Sequence, residues 1–277
     1  MKKTFIFFSL LLFTLATHAQ KEKLKGSRIV ITAQKDIGEY ENIEIEDNIE
    51  LFLSKGDNAE LEIEADDNLH DAISINLSGG TLRISLSQPV TGAKKLSVKV
   101  TFTNNLKMII SKGDSRVTAL TDLTLDDLTF KAFGNSKIYA NVKSGSFTLM
   151  ANDKSHSELN VTADIVAVEL SNNARIKALI STPKMKFDMY QKSSANIEGD
   201  AIDLKLRIDN NSTFNATNLV AKTAEMIVEG FGNASLTVAG AVTIEASGKA
   251  DIELFGDQQI EIRKFTDNAS LRKKPVK

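Results

Sequence analysis

Once its first nineteen residues are set aside, this chain offers two histidines, His70 and His156, and no cysteine for metal or nucleophilic chemistry. A zinc or iron centre gathers three or four His, Cys or carboxylate ligands into one cluster. His70 follows Asp66-Asp67-Asn68-Leu69 and His156 stands between two serines, far away in the chain, so neither has the company a centre needs. Asp66-Asp67 and Asp126-Asp127 are where a cation would lodge if the chain held one, yet the Gly-Gly-x-Gly-x-Asp nonapeptide of calcium-binding β-rolls is absent. So are a Gly-x-Ser-x-Gly elbow, a His-Glu-x-x-His pair and a phosphate-cradling loop. Glycoside cleavage needs two carboxyl groups facing each other across a sugar. Nine outward positions, Arg116, Lys137, Glu158, Arg175, Asn196, Thr213, Ser235, Asp251 and Ser270, stack into a mixed column with neither an acidic pair nor a Lys/Arg–Asp cluster at one level. That column also lacks the Thr-x-Thr ladders of an ice-binding face. Sugar sites favour aromatic platforms, and Tyr139, Tyr190, Phe231 and Phe133 are the candidates, each better suited to packing a wall or a turn. No catalytic residue, cofactor site or metal site is expected.

These positions follow from a repeat. Between Ser115 and Ala269 one phrase recurs nine times: a turn-former, a polar residue, Ser or Ala, any residue, then an apolar one. The small residue is Ser115, Ser136, Ser157, Ala174, Ala195, Ser212, Ala234, Ala250 and Ala269, and the apolar residue two places on runs from Val117 to Leu271. Spacings of 21, 21, 17, 21, 17, 22, 16 and 19 alternate around nineteen, with a pair length near 38. Such a period means a solenoid, whose units bury their apolar faces by stacking on each other. Apolar and polar residues alternate with period two on both sides of each corner, as in Val166, Val168 and Leu170 before Asn172-Asn173 and Ile176 and Ala178 after it, so each unit reads strand, sharp corner, strand. Corner positions hold Gly113, Gly134, Ser155, Asn172, Ser193, Asn210, Gly232, Gly248 and Asp267, and the Gly, Asn and Asp among them tolerate positive φ. Stacked Asn side chains should bond to one another along the axis. The Ser or Ala that follows should point into a crowded interior. The expected fold is all-β: a right-handed parallel β-helix of about nineteen-residue coils, preceded by an N-terminal β lobe.

Lys2-Lys3, the apolar run Phe5–Leu15 and Thr17-His18-Ala19 read as a secretory signal peptide over 1–19, cleaved before Gln20. The run is too short for a membrane span, which takes about twenty residues. Residues 20–35 form an N-terminal segment, 36–110 the β lobe, and 111–277 the solenoid with a basic cap at Arg272–Lys277. In the lobe, Ser54-Lys-Gly-Asp57 recurs as Ser111-Lys-Gly-Asp114, and Gly79-Gly80-Thr-Leu82-Arg-Ile84 repeats the small–x–apolar phrase. Loss of Lys2 and Lys3 takes the formal charge from −2 to −4; a mildly acidic chain without a basic patch is a poor match for nucleic acid. The absence of cysteine excludes disulfides although export would permit them.

Three features resemble the family described as putative auto-transporter adhesin, head GIN domain, secreted β-proteins common in Bacteroidetes-type bacteria. The run Tyr40–Leu53 looks like the family's opening hairpin, Gly79–Ile84 is similar to its second, and Gly113-Asp-Ser, Gly134-Asn-Ser and Gly232-Asn-Ala look like its corners. The likeness covers about residues 36–265, although five of the nine corners lack Gly. It implies a β-helical fold and an extracytoplasmic, adhesive role (periplasm, outer surface or secreted), and no catalytic residues to carry over. The expected function is a non-catalytic binding module recognising an extracellular glycan or protein through a solenoid face. A structural envelope protein and a β-helix polysaccharide lyase or glycosidase are the alternatives.

Overall fold

The computed structural model describes residues 23–275, so the signal-peptide reading of 1–19 and the last two residues of the basic tail lie outside it. The described chain is a β-solenoid of about nine turns. Each turn contributes one strand segment before the corner and one after it, and these segments build two stacks of parallel strands, here called leading and trailing. The corner chemistry follows the residue types. Gly113, Gly134, Asp153, Asn172, Asn210, Gly230, Gly248 and Asp267 all adopt φ between 49° and 75°, the left-handed region open to Gly, Asn and Asp. Turns then sit on turns: the amides of Asn135, Lys154, Asn173 and Asn268 donate to the carbonyls of Gly113, Gly134, Asp153 and Gly248 one level down, at 2.8–2.9 Å. The expected polar ladders appear as Asn135 Nδ2 to Asp114 Oδ1 (2.9 Å), Asn172 to Asn152, and Asn215 Nδ2 to Asn196 Oδ1 (3.2 Å).

A second bend joins the trailing segment to the next leading one without breaking the strand. Two consecutive residues face outward there, at Asp164-Ile165, Pro183-Lys184, Ile202-Asp203 and Lys222-Thr223, and the inward phase flips across them. Strands such as His156–Leu170 and Arg175–Met189 therefore serve both stacks.

The strand register corrects the spacing read from the sequence. Ser136 lies level with Ser155, not Ser157, and the small column runs Ser115, Ser136, Ser155, Ala174, Ser193, Ser212, Gly232, Ala250, Ala269. In three coils the small residue stands two positions earlier than the phrase suggests, at Ser155, Ser193 and Gly232. A slip of two keeps every side chain on the same face, so alternation alone cannot detect it. Its cause is informative. The next two inward positions alternate in size from coil to coil: Ile138/Ala140, Ser157/Leu159, Ile176/Ala178, Ala195/Ile197, Phe214/Ala216, Ala234/Leu236. A large residue in one coil faces small ones above and below, which keeps the core filled at constant width. The pair length near 38 is this two-coil packing unit. All of these positions are buried except Ala140, which is partly so. Phe130–Phe147 and Phe187–Phe214 fill wider places edge to face, with centroids 5.3 and 5.1 Å apart.

At the N-terminal end the two stacks continue but change sense. The first coil by sequence, Asn42–Ile45 and Glu50–Lys55 around Asp47 (φ 67°), pairs in parallel with Met108–Ser111 and Arg116–Ala119 on one side. On its other side it pairs with Thr81–Leu86 and Leu96–Phe102. Tyr40–Leu53 is thus a coil and not a hairpin. Beyond that level the strands turn antiparallel: Ile73–Ser78 folds onto Thr81–Leu86 through the Gly79-Gly80 turn, and Glu60–Asp66 followed by Val30–Asp36 closes the other stack. The Ser-Lys-Gly-Asp repeat has no structural counterpart, since Gly113 makes a corner whereas residues 54–57 lead into the antiparallel strand.

Asp66 ties this end together. Its fully buried carboxylate accepts from the amides of Arg28 (2.8 Å), Lys94 (3.1 Å) and Lys95 (3.0 Å). Burial pushes the carboxyl up, but the three amides outweigh it and hold it below the ordinary range. The acid flagged from sequence as a possible cation ligand is thus already spent on backbone donors.

Candidate functional site: a groove on the leading stack

Just after the second bend, the outward face of the leading stack carries two rows across successive coils: Ile165, Lys184, Asp203, Thr223, Ala241 and Ala167, Lys186, Lys205, Glu225, Thr243. Strand pairing fixes these rows, and the side-chain lengths within them shape the surface. Where Ala and Thr stand beside Lys and Glu, a groove of about 620 Å³ opens, its lining mostly apolar, with Arg263 of the last coil at one end. An adjoining hollow of about 290 Å³ extends it past Lys186 and Lys205 to Tyr190, Arg207 and Ile227.

The rim is basic. Lys184, Lys186, Lys205 and Arg263 line the main groove against Asp203 and Glu225, a local excess of cations on a chain whose formal charge is −2. Lys186 Nζ meets Asp188 Oδ2 at 2.7 Å, and that hydrogen bond raises the lysine above its ordinary range. Arg263 Nη1 reaches Glu225 Oε1 at 3.5 Å and Lys205 Nζ lies 3.9 Å from Glu225 Oε2. Thr223 Oγ1 donates to Asp203 Oδ1 at 2.6 Å, while Lys184 has no ion pair among the described residues. Cationic tips around an apolar floor suit a ligand with an apolar body and an acidic group. The groove's carboxylates are engaged by Thr223, Lys205 and Arg263, an arrangement that holds charge in place.

The residues singled out from sequence fall elsewhere, with one exception. His156 Nε2 contacts Glu158 Oε1 at 3.0 Å on the trailing stack. His70, in a short 3₁₀ segment Asp67–Ala72, faces the carbonyls of Ile31 and Ala65 at 3.2 and 3.3 Å. Arg116 covers Tyr139 at 5.4 Å and Lys249 covers the exposed Phe231 at 5.2 Å, while Phe133 sits half-buried at a corner. Tyr190 alone reaches the groove's extension. The groove is not legible in the sequence because it depends on which short side chains become neighbours across coils. The short residues Ala167, Thr223, Ala241 and Thr243 among these outward positions were the available signal. Among the described residues no group of three or more His, Asp or Glu side chains could hold a metal ion, and no helix is long and apolar enough to cross a membrane.

The chain matches the family model described as "Putative auto-transporter adhesin, head GIN domain" over residues 39–180 and 156–257. Among solved structures it is similar to a putative adhesin from Parabacteroides merdae, 16% identical with a TM-score of 0.71, covering 91% of this chain and 99% of that one. A putative adhesin from Parabacteroides distasonis is 18% identical with a TM-score of 0.68, covering 91% and 100%. A protein from the same organism described as a putative lipid binding protein is 15% identical with a TM-score of 0.69, again covering 91% and 100%. At these identities the likeness is one of fold. No curated protein matches the chain.

Proposed function

Since the chain belongs to the putative auto-transporter adhesin, head GIN domain family, we propose that it acts outside the cytoplasm, secreted or at the cell surface, as a non-catalytic adhesive module that holds part of an external partner in the leading-stack groove. The observation that carries this reading is the pairing of an apolar floor with a cationic rim on one face of the sheet. The floor lacks the aromatic platform a sugar ring would favour, so the groove suits an apolar chain that ends in an acidic group. The neighbour described as a putative lipid binding protein offers a parallel for such a ligand.

A fluorescent long-chain fatty acid is a direct probe. It should bind the parent saturably, and Ala241→Trp, which fills the groove from an exposed position, should weaken binding at least about tenfold, some 1.4 kcal/mol, without shifting the melting temperature. Equal binding by parent and filled variant would remove the groove from the function, and no binding to either would favour an envelope protein with no dedicated ligand.

A further inference from the structure

The corrected register assembles a row that the sequence spacing had concealed. Arg116, Lys137, His156 and Arg175 occupy successive rungs of one outward column on the trailing stack, where the uncorrected column had placed Glu158 in the third position. Strand spacing sets the rungs about 4.8 Å apart, so the row extends about 14 Å along the solenoid axis. Lys177 stands on the same strand as Arg175, two residues further on, and widens the basic end. Compensation is thin. Arg116 Nε lies 3.8 Å from Glu50 Oε1 at the row's outer end, and Glu158 serves His156 at 3.0 Å. Lys137 and Arg175 have no ion pair among the described residues. Like charges on neighbouring rungs repel, and a surface built for solvation alone intersperses the two signs. Three fixed cations along one column, Arg116, Lys137 and Arg175, are instead the complement of an anionic chain laid along it.

We propose that this row binds a linear acidic polysaccharide of the uronate type, laid along the solenoid axis with its carboxylates reaching Arg116, Lys137 and Arg175. A polyuronate carries one carboxylate per sugar ring, a repeat close to the strand spacing, and its recognition here rests on charge and not on a stacking platform. Single-stranded nucleic acid fits less well, because sequence-tolerant binding of that kind stacks bases on exposed aromatics, and Tyr139, beside the row, is covered by Arg116. The proposal deepens the adhesive reading and rests on it, but it uses a different stack from the groove.

The test titrates polygalacturonate, neutral dextran of equal length and single-stranded DNA into the chain at several salt concentrations. Polygalacturonate should bind, dextran should not, and DNA should bind more weakly. The double variant Lys137→Gln/Arg175→Gln removes two outward charges and should keep the parent's melting temperature. It should weaken polygalacturonate binding at least about tenfold and flatten the slope of log K against log salt by about 1.4, the value for two single-strand contacts. Lys222→Gln, on the second bend, should leave binding unchanged. A loss below about twofold in the double variant, equal binding of dextran, or tighter binding of DNA would overturn the proposal. Fatty-acid binding that persists without any polygalacturonate binding would sink this inference and leave the adhesive reading standing; loss of both would end both.

Discussion

Ala174 and Arg175 are neighbours with opposite fates. Ala174 is fully buried in the small column, level with Ser155 and Ser193, whereas Arg175 points to solvent. Ala174→Leu should destabilise by about 1–3 kcal/mol through overpacking, and Arg175→Ser should stay within about 0.5 kcal/mol; paired thermal melts measure both. Single residues also carry avoidable cost. The Ser157 hydroxyl is buried without a hydrogen-bond partner in the described structure, so Ser157→Ala should raise stability by about 1 kcal/mol, read from denaturant midpoints. The inward direction of every small residue from Ser115 to Ala250 was legible from two-residue alternation. The empty hydroxyls were not, because satisfaction depends on neighbours one coil away.

At the scale of the strand and its corner, glycine is required where it both takes a positive φ and lies against another turn. Gly134 has φ 69°, and a Cβ there would sit 2.9 Å from the Gly113 carbonyl oxygen. Gly134→Ala should therefore cost about 2 kcal/mol or more. Gly79, also at positive φ but with open space around it, should accept Asn at a cost within about 1 kcal/mol. Chemical unfolding of the two variants gives the comparison. Element type and corner chemistry were readable because each coil repeats them. Register was not readable at three corners, since Ser155-His-Ser157, Ser193-Ser-Ala195 and Gly232-Asn-Ala234 each offer small inward residues at both candidate positions. The groove inherited that difficulty: its rows exist only once coils are aligned to the residue.

Over the whole molecule, the middle and the ends are held by different forces. Stacked aliphatics and aromatics fill the middle, whereas carboxylates fasten the ends: Asp66 at one, and at the other Asp251, which accepts from Ser270 Oγ (2.6 Å) and Arg272 Nη2 (2.6 Å). The Ser270 bond and the Arg272 charge hold Asp251 below its ordinary range against the effect of burial. Both carboxyls are depressed in the folded state, so their contribution is complete above the ordinary value of 3.8 and is lost as pH falls through the lower folded values. Hydrogen exchange during acidification should show protection failing first over 24–36, 93–95 and 259–274, while 156–208 stays protected. If the central coils open together with the ends, this division of labour is wrong. Since neither force involves a metal, EDTA should leave the melting temperature unchanged; a drop of several degrees would reveal a site.

The alternation of large and small side chains between coils has a consequence for chain length. Deleting one coil, residues 156–174, would set Ile176 against Ile138 and Ala178 against Ala140, bulk on bulk and void on void. Deleting two, residues 156–193, would bring Ala195/Ile197 onto Ile138/Ala140 and restore the interlock. The shortened chain lacking two coils should fold and melt cooperatively, and the one lacking a single coil should not. The packing module of this solenoid is then the doublet of coils, and a chain of this kind tolerates shortening or lengthening by even steps.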